Sequence, residues 1–182
     1  MTTIQPKDGV QAYLGNPMLF SGTPPIDLSE TDSGYGGSQH QFLLKTEFGH
    51  IYIDAKRGQV LLMRGTQAED LADKGMDKWF SKNLPFNILN INNDIPIDNT
   101  FLNLGILGVY DPFYKRLIIT KLDYEAKKPG ITYSDNKFKF AGQEINVLNS
   151  EYFYNRSWTL SYSFITQSWI SFHSFADRKS VV

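Results

Sequence analysis

The chain has 182 residues, 41% of them apolar and 20% charged, a composition that fits one globular domain and excludes a wholly disordered chain. Lys and Arg total 18 and Asp and Glu 19, for a net charge of -1, so no overall field draws the chain to nucleic acid or to an anionic membrane. With no cysteine, disulfide frameworks, zinc–thiolate sites, iron–sulfur clusters and cysteine nucleophiles are excluded together.

In chain order, the first segment (1–37) reads as an extended arm. Pro17, Pro24 and Pro25 interrupt any regular element, and Gly34-Tyr-Gly-Gly37 closes it with a bend. Its N-terminus has no basic start followed by an apolar run, so no secretory signal is expected. No stretch approaches the roughly 18 apolar residues of a membrane helix. These features place a soluble, non-secreted chain.

From residue 38 to 176 the pattern is antiparallel β. Phe42–Thr46, His50–Asp54 and Val60–Met63 read as three successive strands, joined by turns at Glu47–Gly49 and Ala55–Gly58. Residues 68–83 then break the β rhythm. Met76 and Phe80 lie at i and i+4 beside Trp79, Leu71 and Ala72, with charged residues around them, which predicts one amphipathic helix. Gly75 weakens its middle and Pro85 ends it. Asn87–Asn99 reads as a loop.

Two more strands follow at Leu102–Tyr110 and Arg116–Lys121, with Asp111-Pro112 opening the turn between them. Ile131–Ser134 and Lys137–Phe140 flank Asp135-Asn136, a two-residue hairpin loop. The last hairpin is Trp158–Ser163, a turn near Thr166-Gln167, and Trp169–His173. Trp158, Leu160 and Tyr162 share one face of its first strand. The tail (177–182) has no pattern.

The fold class is therefore mainly β, with antiparallel sheets and one inserted helix. Strand groups recur at 39–64, 102–121 and 157–173, each holding a hairpin, as in about three β-propeller blades. A sandwich gives the same strand signals. Propellers typically have four or more blades, so three would form only a partial one. Exposed strand edges left by such an arrangement would need a partner.

The chemistry-bearing residues are sparse. His40, His50 and His173 have no ligand-like neighbour and read as structural. Asp54, Asp111 and Asp123 end or follow strands; they read as turn residues, or as a carboxylate pair if two of them stand roughly 5–10 Å apart in a cleft. Glu69, Asp70, Asp73 and Asp77 read as a solvated helix face. The 34–37 glycines lack phosphate-loop spacing. Ser157, Ser161, Ser163, Ser168, Ser171 and Ser174 lack a nucleophile elbow and read as strand faces. Lys127-Lys128 and Arg178-Lys179 are too short for a nucleic-acid patch. The aromatics are 14% of the chain and crowd residues 152–175, either as core and interface or as a stacking platform for sugars or bases.

Five phrases, in this order, carry a family likeness: G-Y-G-G-S-Q-H (34–40), T-E-F-G-H-I-Y-I-D-A-K-R-G-Q-V (46–60), G-M-D-K-W-F-S-K-N-L-P-F (75–86), Y-D-P-F-Y-K-R-L-I-I-T-K-L-D-Y (110–124) and S-W-T-L-S-Y-S-F-I-T-Q-S-W-I-S-F-H-S-F (157–175). Together they resemble a structural tail protein of crAss-like bacteriophages, of the muzzle or tail-stabilisation type, over about residues 15 to 176. The resemblance implies a non-enzymatic virion component around the DNA-exit end of a short tail. It implies β-propeller-like domains, and assembly with other tail proteins and copies of itself in a multi-copy ring. It implies no catalytic, cofactor or metal residue. Members of that family are much longer, so the resemblance implies a segment of a longer protein, made in the host cytoplasm and carried in the virion tail.

Two other readings compete with it. A carbohydrate-binding β module requires an exposed row of Trp or Tyr, with Trp158 and Trp169 as the discriminating pair. A propeller glycosidase requires a carboxylate pair drawn from Asp54, Asp111 and Asp123.

Overall fold

A computed structural model describes residues 43–65 and 67–173. The expected arm (1–37), the tail (177–182), His40 and the ends of the 38–176 domain lie outside the described residues.

The first sheet is a four-stranded antiparallel meander. Its strands are β1 (Leu43–Thr46), β2 (Gly49–Asp54), β3 (Gln59–Arg64) and β4 (Gln67–Asp70), in that spatial order. Ile51 and Ile53 of β2 lie opposite Leu62 and Val60 of β3, and all four are buried. Period-2 alternation thus puts one apolar face inward. Gly58 closes the β2–β3 turn at φ 73°, and a Cβ there would lie 2.5 Å from Ser81 Cα. Only glycine both reaches that backbone conformation freely and lets the turn lie this close to the helix.

The expected helix over 68–83 is shorter and begins later. Residues 67–70 are β4, Leu71–Asp73 form a 3-10 turn, and α1 spans only Asp77–Asn83. Two side-chain facts explain the correction. Asp70 accepts from the amides of Val60 (3.2 Å) and Ala72 (2.9 Å), tying the end of β4 to β3 while capping the 3-10 turn. Gly75 sits at φ 87°, which stops any continuous helix through it. Glu69 is therefore a strand residue and Asp70 a cap, not members of a solvated helix face.

The second four-stranded sheet runs in the order β13-β12-β6-β5. Its strands are β5 (Gly105–Asp111), β6 (Arg116–Leu122), β12 (Trp158–Ser163) and β13 (Ser168–His173). The strand groups at 102–121 and 157–173 thus form one sheet rather than two, so among the described residues the three expected strand groups make two four-stranded sheets. Between β6 and β12 the chain makes an excursion over 123–157. It contains β7 (Tyr124–Ala126) paired with β11 (Phe153–Asn155), and a small sheet of β8 (Thr132–Ser134), β9 (Lys137–Phe140) and β10 (Gln143–Ile145). The hairpin loop at Asp135 and Asn136 has φ 55° and 59°, the mirror-image turn whose twist matches its strands. Strand β5 starts three residues later than expected, because Thr100–Leu102 form a 3-10 turn capped by Asn99.

Strand β12 is buried along its whole length. Trp158, Leu160 and Tyr162 face the apolar cluster shared with the first sheet, α1 and the 84–95 segment. Thr159 and Ser161 face the other way, and Thr159 bonds Thr120 across the strands at 2.9 Å.

Candidate functional site

Three hairpin turns meet at one end of the two four-stranded sheets. They are the β1–β2 turn (Glu47, Phe48), the β5–β6 turn (112–115) and the β12–β13 turn (164–167). Aromatic packing brings them together. Phe48 stacks on Phe164 at 4.4 Å and 12°, and Tyr110 meets both rings edge-on. The Phe164 amide donates to the Lys115 carbonyl at 3.0 Å, joining two tips directly. Glu47 accepts from Lys115 Nζ at 2.6 Å and from the Tyr110 hydroxyl. These donors hold the Glu47 carboxyl below its ordinary range, led by Lys115. Burial, with Glu47 beside it, pushes the Tyr110 phenol up to about 12.

On this base stand three large exposed apolar side chains. Phe113 is 81% exposed, Ile165 71% and Tyr114 58%. They are not loose ends. Asp111 Oδ1 accepts from the amides of Phe113 (2.9 Å) and Tyr114 (3.1 Å), fixing the turn. Phe113 and Tyr114 meet edge-to-face at 4.8 Å, and the Arg116 guanidinium lies over Tyr114 at 5.5 Å. The result is an apolar tip whose turn is fixed by Asp111 beneath it, although the buried Arg116 Nε has no hydrogen-bond partner among the described residues. Large apolar side chains exposed on adjoining turns make this end a candidate interaction surface.

The three carboxylates considered for acid–base work are each occupied. Asp54 takes the Arg57 amide at 3.1 Å, inside its turn. Asp111 holds the tip. Asp123 is fully buried, where Lys121 Nζ (2.8 Å) and the amides of Asn87 (2.9 Å), Ile88 (3.2 Å) and Tyr124 (2.9 Å) all donate to it. The Asn87 side chain adds a fifth donor at 2.8 Å. Lys121 is as deeply buried and also donates to the carbonyls of Asn83 and Pro85, both at 2.8 Å. Burial pushes the Lys121 ammonium below its ordinary range, and Asp123 opposes that push. This pair bolts the end of β6 to the chain leaving α1. It is a structural node.

The other predicted residues fall as follows. His50 is exposed on β2, and His173 lies 3.0 Å from Ser161 Oγ. Among the described residues no group of three His, Asp or Glu side chains is arranged to hold a metal. Trp158 and Trp169 both turn inward: their indole N–H groups donate to the carbonyls of Asn83 (3.2 Å) and Leu71 (2.8 Å). They do not present the tryptophan row that the carbohydrate alternative requires. A shallow cavity of about 210 Å³ lies between Phe101, Leu102, Phe138 and Val147, with the Lys137–Glu144 ion pair (2.6 Å) at its side.

Sequence reasoning missed two features. Lys121 had a legible signal, because its parity with Leu117 and Ile119 on β6 places it on the buried face. Phe113, Tyr114 and Ile165 had none, since nothing local says that two turns remote in sequence stand side by side. Among the described residues no helix is long and apolar enough to cross a membrane. Compared with known protein families, curated proteins and solved structures, the chain matches none.

Proposed function

We propose that the chain is a non-enzymatic structural component of a phage virion tail, working through subunit interfaces around the DNA-exit end of the tail. The observation that carries this reading is the preformed apolar tip of Phe113, Tyr114 and Ile165. Burying a large apolar side chain contributes about 1.5–3 kcal/mol, so these three supply on the order of 5 kcal/mol to an interface that covers them. Asp111 fixes the Phe113 and Tyr114 amides within their turn, which lowers the ordering entropy that opposes docking. The resemblance to the crAss-like tail family supplies the setting. The partners are copies of this chain and other tail proteins.

Antibody labelling of purified phage particles, with mass spectrometry of the same particles, tests it. The reading expects the chain in the particle at fixed stoichiometry, with label on the tail. Absence of the chain from purified particles sinks it.

A further inference from the structure

We infer that the folded chain cross-links itself: Lys121 Nζ attacks the side-chain carboxamide of Asn87, with Asp123 as proton carrier, forming an isopeptide bond and releasing ammonia. The inference goes beyond the tail reading and does not depend on it.

One oxygen serves both reactants. Asp123 Oδ2 accepts from Lys121 Nζ at 2.8 Å and from Asn87 Nδ2 at 2.8 Å. The attacking and the leaving nitrogen thus share a single acid–base atom, as proton transfer from one to the other requires. The Asn87 backbone amide donates to the same oxygen at 2.9 Å, so this residue is held at both ends. Lys121 is held by the carbonyls of Asn83 and Pro85, on the segment that leads into Asn87. Fixing both groups in one place turns a bimolecular aminolysis into a unimolecular one. Asn83 is not the acceptor, because its own carboxamide nitrogen is turned away to the Trp79 carbonyl at 2.8 Å.

The surroundings favour an amine over an ammonium. The Lys121 and Asp123 side chains are both fully buried, and the Phe86 ring lies 4.7 Å from Nζ. Burial pushes the Lys121 ammonium below its ordinary range, and a desolvated lysine is an activated nucleophile. Asn87 is only half-buried, which leaves ammonia a way out. An amide in place of the ammonium also removes a charge from the interior.

The step balances without a co-reactant. Asp123 takes one proton from Nζ, and the freed electron pair forms the bond to Asn87 Cγ. Asp123 passes that proton to Nδ2, the Cγ–Nδ2 bond breaks, and its electron pair leaves with the nitrogen as ammonia. A second Nζ proton then passes to Asp123, leaving a neutral amide.

The test is the intact mass of the full 182-residue chain, kept folded at neutral pH and then denatured. It is expected about 17 Da below the mass of its sequence, one ammonia lost in forming the amide. Trypsin is expected to release a branched pair, residues 83–115 joined to 117–127, because a linked Lys121 no longer cleaves. Asn87→Ala and Asp123→Asn are expected at their full sequence masses. A wild-type chain at full mass overturns the proposal. So does an ammonia loss carried on an unbranched peptide, as when an asparagine closes to a succinimide, or an Asn87→Ala chain that is still light. If the variants fail to fold, the wild-type mass and the branched peptide decide alone. None of these results bears on whether the chain is found in phage particles. Asp123→Ala and Lys121→Met both remove the bond, so the order of their unfolding losses is set by the contacts each leaves behind.

Discussion

The two four-stranded sheets have the same size and the same strand polarity, yet they are finished differently. The first is local: β1 to β4 follow one another through short turns, and both its edges carry charge. The second joins β6 to β12 across the whole 123–157 excursion, and its edges are uncharged until Asp111. The first sheet closes only short loops and can form early. The second must wait for a long loop to close, and it leaves apolar side chains on its tips and edge. The contrast teaches that the locally wound sheet keeps charge along its edges, while the sheet closed across a long excursion leaves its exposed apolar side chains on turns and edge.

The long closure of the second sheet needs a bolt, and Asp123 supplies it. Asp123→Ala is expected to give the largest loss of the set, about 3–5 kcal/mol by urea unfolding, because it strands a buried ammonium and several buried amides. Lys121→Met is expected to cost clearly less, since four protein donors still satisfy the carboxylate. Equal losses for the two would show that the charge pair, rather than the amide cradle, is what matters.

The first sheet has its own fixed point at Gly58. Gly58→Ala forces a Cβ to within 2.5 Å of the helix backbone at Ser81, in a left-handed conformation. The conformational cost is about 1–2 kcal/mol and overpacking adds about 1–3 kcal/mol. Thermal unfolding should register a drop of at least several degrees.

Asp70 gives the first sheet a pH signature on the acid side. Burial pushes its carboxyl above the ordinary value of 3.8. Between 3.8 and the native titration point the folded state binds more protons than the unfolded one. The stability contributed by protonated Asp70 is therefore full below 3.8 and lost as pH rises through the native value. Asp70→Asn keeps an oxygen to accept from Val60 and Ala72 and carries no charge. Relative to wild type, this variant is expected to gain stability as pH rises through that window. A pH-independent difference between the two would refute the assignment.

The smallest stability effect belongs to the tips. Phe113→Ser and Ile165→Ser remove exposed side chains and should change unfolding stability by less than about 0.5 kcal/mol. Under the proposed tail role their expected consequence is lost assembly with other tail proteins, read by co-sedimentation. A large loss of stability would place these residues in the fold rather than at an interface.

Much of this architecture was legible from residue patterns. Alternation in H-I-Y-I-D and W-T-L-S-Y-S located β2 and β12, and Asp135-Asn136 marked its hairpin. The helix was misread where side chains act over distance: Asp70 caps because β3 supplies the Val60 amide, which no window around residue 70 contains. The short strands β7, β10 and β11 escaped notice because three-residue elements carry too little periodicity to register.

The sequence alone determined the local terms: which residues alternate, which turns require glycine or asparagine, and that a cysteine-free chain builds no thiol chemistry. These depend on neighbours within a few positions, through backbone sterics and side-chain direction. The tertiary structure alone decided that two strand groups merge into one sheet, that Lys121 and Asp123 neutralise each other in the interior, and that three distant turns form one apolar tip. Each of those joins residues more than thirty positions apart, or depends on burial, and burial is a property of the packed chain rather than of any segment of it.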